Sequence, residues 1–291
     1  MLWQRVLTAV VGIPILLALI YLGGWYLGAA VLLLSLVGLR EFFRLADATG
    51  FRPGRWIGYT AGALLFLATM GATRYADWWG WGVPLEARLA SDLLLVLLAA
   101  VIALLIEQVV LFRPAAMANA GLTLLGVIYL PLMLSYLVRL RTFWPELMRL
   151  DRTHFLVPAG ACWLVLVVFT CWAEDTAAYA VGKTLGRHKL CPTISPGKTI
   201  EGSAAGFLAA VLVAAALGYW FGLPVLHGAV LGALLGVVAQ LGDLSKSVMK
   251  RQAGVKDSGA ILPGHGGVLD RFDSLLFSAP VAFYYLSWLV R

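Results

Sequence analysis

The chain has 291 residues, 61% of them hydrophobic and 13% charged, with a formal net charge of +7. Soluble domains are nearer half apolar and a quarter charged, so this composition excludes an ordinary soluble globular protein. The basic residues lie in short segments between apolar runs, which suits anionic lipid headgroups and argues against a nucleic-acid partner.

A bilayer takes about 20 apolar residues to cross, and the chain offers many such runs. They predict an all-α polytopic membrane protein with about nine transmembrane helices, folded as one integral domain over 1–291. The helices are placed at about 5–22, 24–39, 56–73, 89–112, 119–138, 155–181, 202–221, 223–245 and 272–290. The first, behind Met1–Arg5, is read as an uncleaved membrane helix because many further spans follow it. Trp78, Trp79 and Trp81 read as interfacial anchors on the outer side. Cys162, Cys171 and Cys191 are odd in number and match no metal-ligand spacing, so they read as small apolar residues. No linker, low-complexity tract or fixed-period repeat stands out.

Alternation of the spans sorts the cations. One side collects Arg5, Arg40, Arg44, Arg52, Arg55, Arg113, Lys183, Arg187, Lys189, Lys198, Lys246, Lys250, Arg251, Lys256 and Arg271. The other collects only Arg74, Arg88, Arg139, Arg141, Arg149, Arg152 and Arg291. Excess Lys and Arg marks the cytoplasmic side, so the N-terminus is expected in the cytoplasm. The segment from Arg139 to Arg152 runs against that bias.

Acidic residues inside or at the end of a span are costly and point to function. The charge-free run Phe155–Ala173 ends at Glu174-Asp175, and Leu223–Gly242 ends at Asp243. The last helix opens with Asp270 and Asp273. Acids from three helices thus arrive at one depth in the cytoplasmic leaflet. Neighbours in a helix do not share a face, so at most one of Glu174 and Asp175 is expected in a site. Thr176, Tyr179 and Lys183 on the following turns favour Asp175.

Two basic loops border these acids, "GKTLGRHKLCPTISPGKTIEG" at 182–202 and "KSVMKRQAGVKDSG" at 246–259. Lys246 and Lys250 share a helical face. Carboxylates flanked by cations and glycines suit a divalent metal on the acids with phosphate oxygens on the cations. No Walker A sequence is present. Gly228, Gly232 and Gly236 allow close helix packing, either within the subunit or across a dimer.

The segment "SKSVMKRQAGVKDSGAILPGHGGVLDRFD" (245–273) resembles the signature of the phosphatidate cytidylyltransferases, or CDP-diacylglycerol synthases. Its elements are Ser247, Lys250-Arg251, Lys256-Asp257, His265-Gly266-Gly267 and Asp270-Arg271-Phe272-Asp273. The similarity extends over about 175–273 and takes in "DTAAYAVGKTLGRHKL" and "SPGKTIEG"; "REFFRL" at 40–45 is similar to an early segment of the family. The resemblance implies transfer of CMP from CTP to phosphatidic acid at a Mg2+-dependent site on the cytoplasmic face of a bacterial inner membrane. It also implies a homodimer, and it associates a second, monovalent cation such as K+ with the site. The catalytic part is then the C-terminal half, about 155–291, behind N-terminal helices over about 1–150.

On this reading Asp243 and Asp270 hold Mg2+, with Asp175 and Asp273 either as additional ligands or as groups hydrogen-bonded behind the ligands. Ser195, Lys198, Lys250, Arg251 and Lys256 hold phosphates, with Ser247 and Arg271 beside them and Lys183, Arg187 and Thr199 as weaker candidates. His265 either donates to a phosphate or bonds backbone in the "PGHGG" turn, where Gly264, Gly266 and Gly267 suit positive φ or close approach to phosphate. Relatives that act on other lipid phosphates or polyprenols are the nearest alternative. An ion-coupled transporter is a more distant one, and it should show internal repeats and acids at mid-bilayer.

Overall fold

The computed structural model describes residues 2–72, 85–112, 114–143, 159–259 and 266–289. Helices α1 (Leu2–Leu22), α2 (Gly24–Ala48), α3 (Arg55–Ala72), α4 (Leu85–Leu111) and α5 (Ala116–Val127) lead to a π-helical turn, Ile128–Leu132, and then to α6 (Met133–Thr142). After them come α7 (Ala159–Thr184), a hairpin of β1 (Lys189–Cys191) and β2 (Ser195–Thr199), α8 (Ile200–Trp220), α9 (Val225–Gln252) and α10 (Leu269–Leu289). Every expected span has its helix, with α5, the π turn and α6 forming one continuous element. Among the described residues six helices are long and apolar enough to cross a membrane by length and composition. The fold is an all-α polytopic membrane protein. Trp78, Trp79 and Trp81 lie outside the described residues.

Two helices run past their predicted ends. α2 continues to Ala48 and carries Arg40, Glu41, Arg44 and Asp47. α9 continues to Gln252, so Lys246, Lys250 and Arg251 belong to a helix and not to a loop. Hydropathy ends a span at the first charges, but a helix that finds partners for those charges can go on. The π turn contains Pro131, whose missing N–H removes a regular helical bond and shifts the local register. Tyr129 in that turn packs edge-on against Phe42 of α2 and Phe277 of α10, with ring centroids 6.3 and 6.2 Å apart.

The glycine stripe of α9 faces α8 within the subunit. A Cβ at Gly232 would stand 2.6 Å from the Ala210 carbonyl oxygen and 2.7 Å from Val211 Cα, and one at Gly228 2.9 Å from the Ala214 carbonyl oxygen. On the other side of α8, Gly202 and Gly206 admit α7 at Ala178 and Glu174. Gly242 lets α9 touch the α10 backbone at Asp273. Small residues at three crossings therefore bring α7 to α10 together closely enough for their charged ends to meet.

Two of the arginines that run against the charge bias, Arg139 and Arg141, have structural partners. Arg141 donates to the carbonyls of Ile20 at 2.6 Å and Tyr21 at 2.9 Å, which are free acceptors at the end of α1. Arg139 lies 4.1 Å over the Phe283 ring and 4.9 Å over Tyr136. Arg149 and Arg152 lie outside the described residues.

Candidate active site

On α9 the side chains of Asp243, Lys246 and Lys250 fall at i, i+3 and i+7 and share one face. On α10 Asp270 and Asp273 do the same. The two faces interlock. Lys246 Nζ is 2.8 Å from Asp243 Oδ1, 3.8 Å from Asp270 Oδ1, and donates to Asp273 Oδ2. Lys250 Nζ donates to Asp270 Oδ1 at 2.7 Å. From the hairpin, Lys198 Nζ reaches Asp243 Oδ2 at 2.9 Å. Three carboxylates thus alternate with three ammonium groups. Only 7% of the Lys246 side chain is exposed, and 8% and 9% of those of Asp270 and Asp273. Charges so buried are tolerable only when they are paired.

Asp270 is fixed from its other oxygen. Oδ2 accepts from the Ser258 N–H at 2.9 Å, the Ser258 hydroxyl at 2.9 Å and the Gly267 N–H at 3.2 Å. Gly266, at φ +82, makes the turn that aims the Gly267 N–H at it.

Beside this network a cavity of about 540 Å³ opens between α7, the hairpin, α8 and α9. That volume lies in the range of small-molecule sites. Its walls carry Glu174, Asp175, Tyr179, Lys183, Lys189, Ser195, Gly197, Lys198, Thr199, Ser203 and Gln240. Its floor is fixed by Ser203, whose hydroxyl donates to Gln240 Oε1 while Gln240 Nε2 returns a bond to the Ser203 carbonyl at 3.1 Å. Lys198 belongs to both cavity and network, and it joins them.

Only one of Glu174 and Asp175 is expected in a site, and both border the cavity. They differ by about 100° around α7, but the cavity wraps that helix from the α8 side to the open side. Glu174 is 2% exposed and packs where Gly206 leaves room, while Asp175 faces outward.

Of the other candidates, Ser195 and Lys183 line the cavity. Thr199 lines it as well, but its hydroxyl caps α8 by accepting from the Gly202 N–H at 3.1 Å. Arg187 is exposed and its N–H bonds Glu201 Oε2. Arg251 is exposed, with Nε donating to the Ile194 carbonyl at 3.1 Å in the hairpin turn. Lys256 and Arg271 are exposed and Ser247 is half-buried. His265 and Gly264 lie outside the described residues. Two residues were missed as site candidates. The sequence places Lys246 on one helical face with Lys250, but does not single it out as a site residue, although its spacing from Asp243 puts it on that acid's face as well. Glu41, which accepts from the Val268 and Leu269 N–H groups beside Asp270, gives no signal beyond its place in "REFFRL".

Among the described residues no group of three or more His, Cys, Asp or Glu side chains is arranged to hold a metal ion by itself. The carboxylate oxygens of Asp243, Asp270 and Asp273 converge instead on one ammonium. Hard oxygen donors around one positive centre fit Mg2+ held by one or two carboxylates and completed by substrate phosphates. They do not fit a preformed all-protein cage.

The family model described as "Cytidylyltransferase family" matches residues 3–289. A phosphatidate cytidylyltransferase of Synechocystis is 38% identical over 97% of this chain and 96% of its own length. Those of Staphylococcus haemolyticus and Bacillus subtilis are 33% and 32% identical, over 95% and 98% of this chain and 96% and 97% of their own lengths. The chain belongs to the cytidylyltransferase family.

Proposed function

We infer that this chain transfers CMP from CTP to phosphatidic acid, forming CDP-diacylglycerol and releasing pyrophosphate. The observation that carries the reading is the lysine–aspartate network of α9 and α10, joined through Lys198 to a cavity that Lys183, Ser195 and Asp175 also line, in a membrane protein. The names of its relatives supply the substrates.

The chemistry needs no general base. A phosphate monoester has its second pKa near ~6, so the lipid phosphate is already an anionic nucleophile at neutral pH. It attacks the α-phosphorus of CTP, the bond to the β-phosphate oxygen breaks, and pyrophosphate departs with that electron pair. The obstacle is repulsion between a dianion and a triphosphate. Lys198 and Lys183, with the Ser195 hydroxyl, face the cavity and offset that charge. Lys250 stands behind them on Asp270. Asp243 and Asp270 would hold Mg2+, which supplies Lewis-acid neutralisation at phosphate oxygens. The network has a second use. Each carboxylate is already paired with an ammonium, so Lys198, Lys246 and Lys250 are held next to the acids and offer positive charge to incoming phosphate oxygens.

The same reading puts the site on the cytoplasmic face of a bacterial inner membrane, with the N-terminus inside and the enzyme a homodimer. The deciding assay uses purified protein with Mg2+, CTP and phosphatidic acid, measuring CDP-diacylglycerol and pyrophosphate together. Equal amounts of the two support the reading. No product, or turnover only with a different lipid phosphate or a polyprenol, overturns it.

A further inference from the structure

Glu41 is fully buried on α2, yet all its acceptors serve a segment more than 200 residues away. Its Oε1 accepts from the Val268 N–H at 3.1 Å, and its Oε2 from the Leu269 N–H at 2.9 Å and the Ser258 hydroxyl at 3.1 Å. Val268 and Leu269 stand at the start of α10, where backbone N–H groups have no partner in the helix and the helix dipole favours an anion. Gly259 and Gly267 press against the same carboxylate, and a Cβ at either would collide with it. These two glycines therefore leave the space into which Glu41 enters.

Ser258 is the link. Its single hydroxyl proton lies between Glu41 Oε2 and Asp270 Oδ2, while its N–H and that of Gly267 hold the same Asp270 oxygen. Two carboxylates facing one hydroxyl repel each other unless each has other donors. Glu41 has the α10 N–H groups and Asp270 has Lys250 and the loop. Glu41 thereby sets where Ser258 and the start of α10 sit, Ser258 and Gly267 hold Asp270 Oδ2, and Asp270 Oδ1 is left facing Lys250 and Lys246.

We propose that Glu41 is a positioning residue that, through Ser258 and the Gly267 turn, fixes the orientation of Asp270 toward the reacting phosphates. This gives the N-terminal half a part in the site. The activity arm of the test rests on the cytidylyl-transfer reading, while the exchange arm does not.

The experiment uses the full chain in detergent and compares Glu41→Gln, Ser258→Ala and the double variant. Amide hydrogen exchange is followed at Ser258, Gly267, Val268 and Leu269, and steady-state turnover with CTP and phosphatidic acid beside it. In Glu41→Gln the glutamine NH2 faces N–H donors. All four amides should exchange faster, and kcat should fall by about 10²-fold, the scale of a small misplacement transmitted from outside the chemistry, with KM for phosphatidic acid unchanged. Ser258→Ala keeps the α10 cap. Val268 and Leu269 should stay protected while Gly267 loosens and kcat falls, so the proposal is still tested if Glu41→Gln does not fold. The double variant should be no slower than Glu41→Gln, because the two act in one chain.

Faster exchange at Val268 and Leu269 alone, with Ser258 and Gly267 as in the wild type, would make Glu41 a helix cap and overturn the proposal. So would rate losses that multiply in the double variant, or a wild-type kcat in either single variant. A wild type that makes no CDP-diacylglycerol refutes the functional reading and leaves exchange at Ser258 and Gly267 to decide the positioning role.

Discussion

Lys198 on the hairpin and Asp243 on α9 meet at 2.9 Å, and this contact is the junction between the cavity and the buried charge network. Both side chains keep about a quarter of their surface exposed, 27% and 23%, so the pair can open without stranding a deeply buried charge. Lys198→Ala removes a cation from the cavity wall and leaves Asp243 paired with Lys246. Loss of one preorganised donor costs about 10²-fold or more in kcat. CTP-dependent turnover should fall by that order, while the folded state, followed by thermal unfolding in detergent, stays near wild type. Unaltered turnover would remove Lys198 from the phosphate-binding set.

Asp243→Asn and Asp270→Asn test the assignment of Mg2+ to these two side chains. Either change keeps shape and removes one negative charge from a network of three carboxylates and three lysines. The expected loss is about 4 kcal/mol of transition-state stabilisation, or about 10³-fold in turnover. Titrating activity against Mg2+ should show a higher requirement in both variants. Near-wild-type activity with an unchanged Mg2+ requirement would show that the assignment is wrong.

The sequence pattern made the spans legible because a charge-free run leaves few alternatives to a membrane helix. It made Asp243, Asp270 and Asp273 legible because a carboxylate at the end of such a run needs a reason. Lys246 was harder to see. Alone it reads as one more cytoplasmic cation, and only the interlocking of α9 with α10 buries it among three acids. Glu41 was invisible, since nothing in "REFFRL" says that α2 will cross the start of α10. The hairpin was also hidden, because "CPTISPGKT" is rich in turn formers and its strands pair over very few residues. Periodicity describes one element at a time, and these features belong to contacts between elements.

Packing predicts opposite outcomes for two glycines, one at the α8–α9 interface and one on α5. Gly232→Ala puts a methyl 2.6 Å from a backbone oxygen and 2.8 Å from Ala214 Cβ, neither of which is a flexible side-chain end. Overpacking of this kind costs about 1–3 kcal/mol. Gly121 on α5 has nothing within 4 Å of where a methyl group would sit, so Gly121→Ala should gain up to about 1 kcal/mol from helix propensity. Thermal or denaturant unfolding in detergent checks both signs. Gly232→Ala that kept full stability and altered only the oligomeric state would place the stripe at a subunit interface instead.

With Arg139 bound over Phe283 and Tyr136, and Arg141 capping α1, two of the cations that opposed the N-in reading are held by local partners. Their side of the membrane is then set by the helices they hold and not by charge bias, which strengthens the bias among the remaining cations. The loop after α9 offers the probe. Ser258 is 6% exposed and committed to Glu41 and Asp270, whereas Lys256, two residues earlier, is exposed. Lys256→Cys would be combined with Cys191→Ser, because Cys191 is half-buried while Cys162 and Cys171 are buried. A membrane-impermeant thiol reagent should label this variant only after the cells are permeabilised. Labelling of intact cells would place the acid–lysine network on the outer face, where a CTP-dependent reaction has no nucleotide supply, and would overturn the N-in topology.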